Sequence, residues 1–176
     1  MEQQLTTAEA LANIRPTFLR MSTLVSEVLT TFDEDEFNKV PADGGWTAGQ
    51  VTEHILIAAS GALKALHSHT QAADRDPALQ VTRLQDLFMD FNIKMEAMPV
   101  LRPGPPPHDH LALSDAVRET MNSLRTALQE LDLEQVCVDF ALPVFGSLTR
   151  LEWLYLVSYH TRRHVHQLRE LQNETV

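Results

Sequence analysis

Apolar side chains recur every three or four residues over long stretches of this chain, and this spacing restricts the possible fold more than any other feature. Such stripes run through residues 7–32, 47–66, 84–95, 114–131 and 149–168. A period of 3.6 residues places these side chains on one face of an α-helix, which has to be buried against another element. The pattern predicts an all-α fold, a four-helix bundle with short additional helices, formed by residues 1–176 as a single domain.

Two of the predicted helices begin with the same sequence signal. Thr47 and Gln50, like Thr149 and Glu152, have the spacing of a capping box, in which each side chain satisfies a backbone N–H of the other residue. We therefore expect one helix to begin just after Thr47 and another just after Thr149.

Prolines, glycines and charged residues predict the breaks between helices. Pro16 predicts a short helical turn followed by a helix that begins at the proline itself. The acidic residues 33–36 are expected to form a connector, and a later helix is expected to begin at Ser114. The proline-rich segment 99–107 predicts a loop that either simply connects helices or borders a pocket. Residues 136–147 predict an irregular link.

The charge balance excludes several classes of function. The chain has 14 basic and 24 acidic residues, a net charge of -10, and no basic stripe, so binding to nucleic acid or to a membrane surface is not expected. No apolar run is long enough to cross a bilayer, and residues 1–4 do not resemble a signal peptide. Cys137 is the single cysteine, so no internal disulfide can form. These features predict a cytoplasmic protein that acts on a small molecule.

Three of the eight histidines lie within apolar helix stripes. His160 and His164 are four residues apart and therefore project from the same face of the last predicted helix. His54 lies between Val51 and Ala58 in the stripe of the second long helix. Burying imidazoles among apolar side chains is costly unless their nitrogens find partners, and one shared divalent metal ion would serve all three. Spacing alone leaves open the alternative that each is a hydrogen-bonded core histidine.

The other candidate residues are expected to have ordinary roles. The Arg162–Arg163 pair predicts a solvated helix face, with the alternative that Arg163 reaches an anionic substrate. Trp46 and Trp153 are expected to anchor the core, and Cys137 to be structural. The remaining histidines are expected to be solvated or peripheral: His67, His69, His108, His110 and His166.

Two segments resemble a known family. Residues 46–54, WTAGQVTEH, resemble the tryptophan-to-histidine motif at the start of the second helix in DinB-like proteins. Residues 145–167, from Phe145-Gly146-Ser147 to His166-Gln167, resemble the last helix of these proteins. The similarity is greatest to the YfiT-like branch, whose members are described as metal-dependent hydrolases. One departure is Leu142, which stands where relatives often have a histidine, before Pro143.

The resemblance implies a four-helix bundle, a homodimer, and a nickel or zinc ion held by one histidine of the second helix and two of the last. Carried over to this chain, those ligands are His54, His160 and His164. Three histidine ligands leave a coordination position open, as in catalytic sites. The resulting expectation is a hydrolase-type enzyme that uses metal-bound water.

Two alternatives to a hydrolase stay open. The first is an S-transferase that uses a small-molecule thiol, because sulfur is a good ligand for zinc. The second is a non-catalytic metal-binding or interaction protein. The sequence shows no convincing general base, since Glu53 is adjacent to His54 but roughly 100° away around the helix.

Overall fold

The computed structural model describes residues 5–173, which are mostly helical and include a small antiparallel sheet. The chain order is α1 (Thr7–Leu29), α2 (Glu34–Asn38), α3 (Ala48–Leu66), β1 (Thr70–Gln71), α4 (Val81–Met89), a 3-10 turn (Pro99–Leu101), α5 (His110–Glu130), β2 (Val136–Leu142), β3 (Gly146–Thr149) and α6 (Arg150–Asn173).

The four long helices, α1, α3, α5 and α6, enclose the main core. Helix α6 packs against both α1 and α3, and α5 packs against the same two helices. The shorter α4 packs against α6 as well. The predicted apolar stripes supply the buried side chains, and in α6 the same stripe carries His160 into the interior. Within residues 5–173, no helix combines the length and the apolar character needed to cross a membrane.

Both predicted capping boxes are present. The hydroxyl of Thr47 accepts a hydrogen bond from the backbone N–H of Gln50, whose side-chain oxygen accepts one from the N–H of Thr47. Thr149 and Glu152 make the same pair of bonds. These caps satisfy backbone donors that would otherwise lack partners, so α3 and α6 begin where the sequence predicts.

The predicted break at Pro16 is wrong, because α1 is continuous from Thr7 to Leu29. Thr6 and Glu9 form a third capping box that starts the helix at Thr7, nine residues before the proline. Ala10 is fully buried, and its carbonyl accepts a hydrogen bond of 2.9 Å from the Tyr155 hydroxyl of α6. Tertiary contacts of this kind offset the single helical bond that a proline removes.

The predicted irregular link at residues 136–147 is also wrong, because β2 and β3 form an antiparallel pair there. β1 joins the other edge of β2, which gives the order β1-β2-β3. The segment from Val136 to Phe140 is rich in β-branched and aromatic residues, which favour a strand. Two residues at this hairpin have positive φ: Val144, in the turn, at 74°, and Gly146, the first residue of β3, at 70°.

Three helix boundaries also differ from those predicted. The acidic connector at 33–36 is largely the short helix α2, which Asp33 caps. Helix α4 ends at Met89, so Phe91 and Met95 of the predicted stripe lie beyond it and are partly exposed. Helix α5 begins at His110, four residues before the predicted start, because the Asp109 side chain accepts a hydrogen bond from the N–H of Ala112.

A buried ion pair attaches the segment before α4 to the start of α6. Glu152 is fully buried, and both its oxygens accept hydrogen bonds of 2.7 Å from the Arg75 guanidinium. The same oxygens accept from the backbone N–H groups of Gln80, at 2.8 Å, and Thr149, at 2.9 Å. Each carboxylate oxygen therefore has two donors, and the buried charge is fully compensated.

Candidate metal centre

The three histidines singled out in the sequence lie together between α3 and α6. His54 comes from the first half of α3, and His160 and His164 come from successive turns of α6. One nitrogen from each lies within 4.8 Å of the others, and the Nε2 atoms of His54 and His160 are 3.0 Å apart. His54 and His160 are buried, whereas His164 is partly exposed. The structure thus brings the three side chains together, and their binding of a metal stays a prediction.

Hydrogen bonds fix which nitrogen carries the proton in two of these rings. Nδ1 of His54 lies 2.7 Å from the carbonyl oxygen of Leu101, which can only accept, so Nδ1 donates and Nε2 keeps its lone pair. Nδ1 of His164 donates in the same way to the side-chain oxygen of Gln167 at 2.9 Å. A partner on Nδ1 that leaves Nε2 free is the usual arrangement around histidines that ligate metals.

His160 has incomplete hydrogen bonding. Its Nδ1 atom is buried and has no hydrogen-bond partner. Its Nε2 atom faces Nε2 of His54, where two lone pairs would repel each other unless a proton or a cation lay between them. Two nitrogens bound to one tetrahedral ion at ~2.0–2.1 Å would be about 3.3 Å apart, close to the 3.0 Å observed. The residues therefore fit a shared divalent ion.

Burial lowers the pKa of all three imidazoles below the ordinary value of 6.5. For His160 the pKa is well below this value, because burial acts together with His164, His54 and Arg163. For His164 burial, with a contribution from His54, lowers the pKa to about 4. For His54 burial outweighs the opposing effect of the Leu101 carbonyl. All three are neutral at pH 7, the state in which imidazole binds a metal.

Aromatic side chains and the proline-rich loop surround the histidines. The ring of Trp46 lies 5.2 Å from that of His54, and Phe88 of α4 lies 5.6 Å from His160 in an edge-on contact. The 3-10 turn brings the Leu101 carbonyl to the outer nitrogen of His54. The proline-rich segment therefore borders the candidate site, which is one of the two arrangements expected from the sequence.

Residues 17–168 match the family model described as the DinB superfamily. The chain belongs to the DinB superfamily. This superfamily is generally metal-binding. The chain is also similar to "Uncharacterized protein YuaE" of Bacillus subtilis (strain 168), with 26% identity over 153 residues that cover 83% of this chain and 89% of that protein. No solved structure matched the chain.

Arg163 of this DinB-superfamily chain is not part of a solvated face. Its guanidinium donates to the carbonyl oxygens of Asp90, at 2.7 Å, and of Phe88 and Ile93. These contacts hold the segment that follows α4 against α6. Because carbonyls already occupy the guanidinium, the structure gives no support to the alternative in which Arg163 binds an anionic substrate. The neighbouring Arg162 is exposed, as predicted.

Two histidines expected to be solvated, His108 and His110, are instead partly buried and hydrogen-bonded to other parts of the chain. Nε2 of His108 lies 2.9 Å from a carboxylate oxygen of Glu53, and only 12% of the His108 side chain is exposed. Nε2 of His110 donates to the carbonyl of Leu29 at 2.8 Å. Their position beside the proline-rich loop suggested exposure, but this loop folds back onto the helices. The exposure predicted for His67 and His69 is correct.

Glu53 binds the loop rather than the three histidines. Besides His108, its carboxylate accepts a hydrogen bond of 2.6 Å from the backbone N–H of Gly104. Burial alone would raise the pKa of this carboxyl, but the hydrogen bonds from His108 and Gly104 outweigh it and lower the pKa below 4.5. Both bonds reach the same oxygen, Oε2, so one oxygen of the ionised Glu53 carboxylate is bound to the loop at neutral pH.

The remaining predicted side chains lie where their residue types suggest. Trp153 is 6% exposed and belongs to the core, whereas Trp46 is half-buried against His54. Cys137 is fully buried in β2, and burial raises the pKa of its thiol, so it remains protonated at neutral pH. His166 is peripheral, as predicted, and contacts the Phe91 ring at 4.2 Å between centroids.

Two surface cavities lie away from the three histidines. Cavities of about 330 and 280 Å³ occupy the side of α6 that faces α1, and both are lined by Arg20 and Arg162. None of the three histidines lines either cavity. Because His54 and His160 are enclosed, the accessible edge of the cluster is the partly exposed His164.

Sequence reasoning missed the groups that orient the imidazoles. Gln167 lies three residues after His164, a spacing that predicts contact on one helix face and so could have revealed it. The partner of His54 is a backbone carbonyl from a distant irregular segment. No side-chain pattern marks such an atom, so this contact has no signal in a single sequence.

Proposed function

We propose that this chain is a metal-dependent enzyme of hydrolase type, in which His54, His160 and His164 hold one divalent ion, zinc or nickel, within a four-helix bundle of the DinB type. The observation that carries the proposal is the arrangement of three neutral imidazoles with converging nitrogens, two of them oriented by partners on Nδ1. The resemblance to the YfiT-like branch supports the same conclusion.

The number of ligands supports a catalytic rather than a structural metal. Among residues 5–173, no fourth histidine, cysteine, aspartate or glutamate joins the three-histidine group. Structural zinc sites are usually closed by four protein ligands, whereas catalytic sites keep a position for water or substrate. When bound, a divalent ion supplies Lewis acidity that makes water more acidic and polarises a carbonyl or phosphoryl group.

The protein supplies orientation and a dry surrounding. Leu101 and Gln167 hold the rings of His54 and His164 in the orientation that directs Nε2 inward. Trp46 and Phe88 cover the buried side of the cluster and exclude water there. A small-molecule substrate would approach along the exposed edge of His164.

One observation favours a second candidate, an S-transferase that uses a small-molecule thiol. Hydrolysis usually needs a general base within hydrogen-bond reach of the attacking water. No carboxylate joins the three-histidine group among the described residues, and Oε2 of Glu53 is bound to Gly104 and His108 in the loop. A thiol attack depends less on such a base, because a thiol loses its proton more readily than water does.

The proposal includes a cytoplasmic homodimer, on the basis of the family resemblance and of the free, buried Cys137. Size-exclusion chromatography with light scattering measures the oligomeric state. A monomer at micromolar concentration would remove the dimer from the proposal and leave the metal site unaffected.

Metal analysis of purified protein tests the site. We expect about one zinc or nickel ion per chain, and its loss in His54→Ala, His160→Ala and His164→Ala. The matched control is His67→Ala, which removes an exposed histidine at the end of α3 and should retain the metal. Circular dichroism establishes that each variant is folded. Stoichiometric metal in folded His54→Ala or His164→Ala would show that the three-histidine assignment is wrong.

Activity screens separate the enzyme classes. The metal-loaded protein is incubated with panels of esters and amides, and in parallel with small thiols plus an electrophile. Hydrolysis that is lost in His164→Ala supports the first proposal. Product that requires a thiol, without background hydrolysis, supports the transferase instead. No turnover in either screen, with metal still bound, supports a non-catalytic metal-binding protein.

A further inference from the structure

The proline-rich loop, residues 99–109, is attached to one face of α3 by three side chains close together in sequence. Gln50 donates to the carbonyl of Gly104 at 3.1 Å, and Glu53 accepts from the N–H of Gly104 at 2.6 Å. His54, one helical turn after Gln50, donates to the carbonyl of Leu101 at 2.7 Å. The side chains that hold the loop therefore include one of the three clustered histidines.

Prolines give the Glu53 contact particular weight. Residues 103 and 105–107 are all proline and lack an N–H, so Gly104 carries the single backbone donor between 103 and 107. That donor goes to Glu53. A hydrogen bond from an amide to an ionised carboxylate is roughly twice as strong as one between neutral groups. Without Glu53, the one backbone donor of this stretch would lose its acceptor on α3.

His108 adds a second attachment of the loop to the same carboxylate. Its Nε2 donates to Glu53 at 2.9 Å. The backbone of His108 is fixed in turn by Asn38, which donates to its carbonyl at 2.9 Å and accepts from its N–H at 2.7 Å. The His108 ring also packs against Gly49, where an added Cβ would lie 3.1 Å from it. Glu53 therefore holds both the middle and the end of the loop.

We propose that Glu53 is a positioning residue that selects the protonated nitrogen of His54. By holding Gly104 and His108, Glu53 keeps the loop in the place where the Leu101 carbonyl meets Nδ1 of His54. Nδ1 then carries the proton, and Nε2 is left with a lone pair directed at the other histidines. When the loop is released, the neutral ring is free to exchange to the form with the proton on Nε2, which cannot bind a metal there.

The first half of this proposal concerns the metal-free protein and does not depend on the proposed function. The second half, a weaker affinity for metal, rests on the three-histidine site. The two are therefore measured separately, and each can fail without the other.

Nitrogen NMR of the metal-free protein at pH 8 reports the tautomer of each histidine. In wild type we expect His54 in the Nδ1–H form. In Glu53→Ala we expect a mixture with at least a third of the Nε2–H form. Glu53→Gln should retain the wild-type tautomer, because an amide oxygen still accepts from Gly104 and His108. His164 is the internal control, because Gln167 rather than the loop holds its Nδ1 proton.

A second variant perturbs the loop without touching Glu53. Gly49→Ala pushes the His108 ring away from α3 and should also raise the Nε2–H fraction of His54. Glu119→Ala, on the exposed face of α5, is the matched control and should leave both tautomers unchanged. An unchanged His54 tautomer in folded Glu53→Ala and Gly49→Ala would overturn the proposal.

Metal affinity provides the second measurement. Competition with a chromophoric chelator should show a 10–100-fold weaker affinity for zinc in Glu53→Ala, the usual range when a residue that orients a ligand is lost. Glu53→Gln should lie much closer to wild type. A tautomer change with unchanged zinc affinity would overturn the second half of the proposal. If wild type binds no zinc but Glu53→Ala changes the tautomer, the proposed function fails and the positioning role stands.

Discussion

Two clusters of buried polar side chains in this protein differ in how completely their hydrogen bonds are satisfied. At the start of α6, both oxygens of Glu152 accept bonds from Arg75 and from backbone N–H groups. Two to three turns further along the same helix, Nδ1 of His160 has no partner, and its Nε2 atom faces another imidazole nitrogen. In the first cluster, atoms of the protein itself supply hydrogen-bond donors to both carboxylate oxygens. In the second cluster, an imidazole nitrogen is left without a hydrogen-bond partner.

The difference indicates different roles for the two clusters. A buried polar group without a partner costs free energy, so a proton or cation bound between facing imidazole nitrogens would be favourable. The Arg75–Glu152 cluster joins the segment before α4 to α6 and needs nothing more. The three-histidine cluster needs a proton or a cation between its nitrogens, which is why it carries our functional proposal.

The largest expected effect concerns the Arg75–Glu152 cluster. Glu152→Ala removes the acceptor of two backbone N–H groups and the buried negative charge beside Arg75, whose guanidinium keeps only the carbonyls of Asp76 and Ser147. It should lower the free energy of unfolding by about 3–5 kcal/mol. Urea denaturation measures this loss. The double variant Arg75→Met/Glu152→Met removes both charges and should recover most of it. If Glu152→Ala loses less than about 1 kcal/mol, this cluster is not a structural attachment.

The second prediction concerns the effect of the three-histidine cluster on how the free energy of unfolding depends on pH. Burial lowers the pKa of His54, His160 and His164 in the folded protein, for His164 to about 4. As pH falls below 6.5, these histidines take up protons in the unfolded chain but not in the folded one, so stability falls. With a chelator present, the free energy of unfolding should drop by roughly 2–3 kcal/mol between pH 7 and 5.5.

Two variants test the origin of this pH dependence. His160→Leu removes one of the three buried histidines and should reduce the slope by about a third, since each contributes up to ~1.4 kcal/mol per pH unit. His67→Gln removes an exposed histidine and should retain the wild-type slope. Equal slopes in wild type and His160→Leu would show that the buried imidazoles are not the source.

The sequence predicted the parts of the fold that follow from helical periodicity and capping. The starts of α3 and α6 are correct because Thr47 and Thr149 each satisfy backbone donors through a contact three residues away. Local contacts of this kind are visible in a single sequence. The proximity of His54 to His160 was predicted from the apolar stripes that carry both residues and from the family resemblance.

The errors occurred where contacts distant in sequence decided the structure. Pro16 stays inside α1 because Tyr155 and the core hold its first turns. β2 forms because it pairs with β1, about 65 residues earlier, and with β3. His108 was predicted to be solvated because its attachment to Glu53 spans 55 residues and an irregular loop. Propensity does not report such pairings.

The smallest expected effect provides the closest comparison of the two clusters. In metal-free protein, His160→Leu replaces a buried, incompletely bonded imidazole with an apolar side chain of similar size. It removes the orphaned Nδ1 atom, but it also removes the group that faces Nε2 of His54. These effects oppose each other, so the free energy of unfolding should change by less than about 1 kcal/mol. A loss of 3 kcal/mol or more, as expected for Glu152→Ala, would mean that the histidine cluster stabilises the fold without a metal, and the contrast between the two clusters would fail.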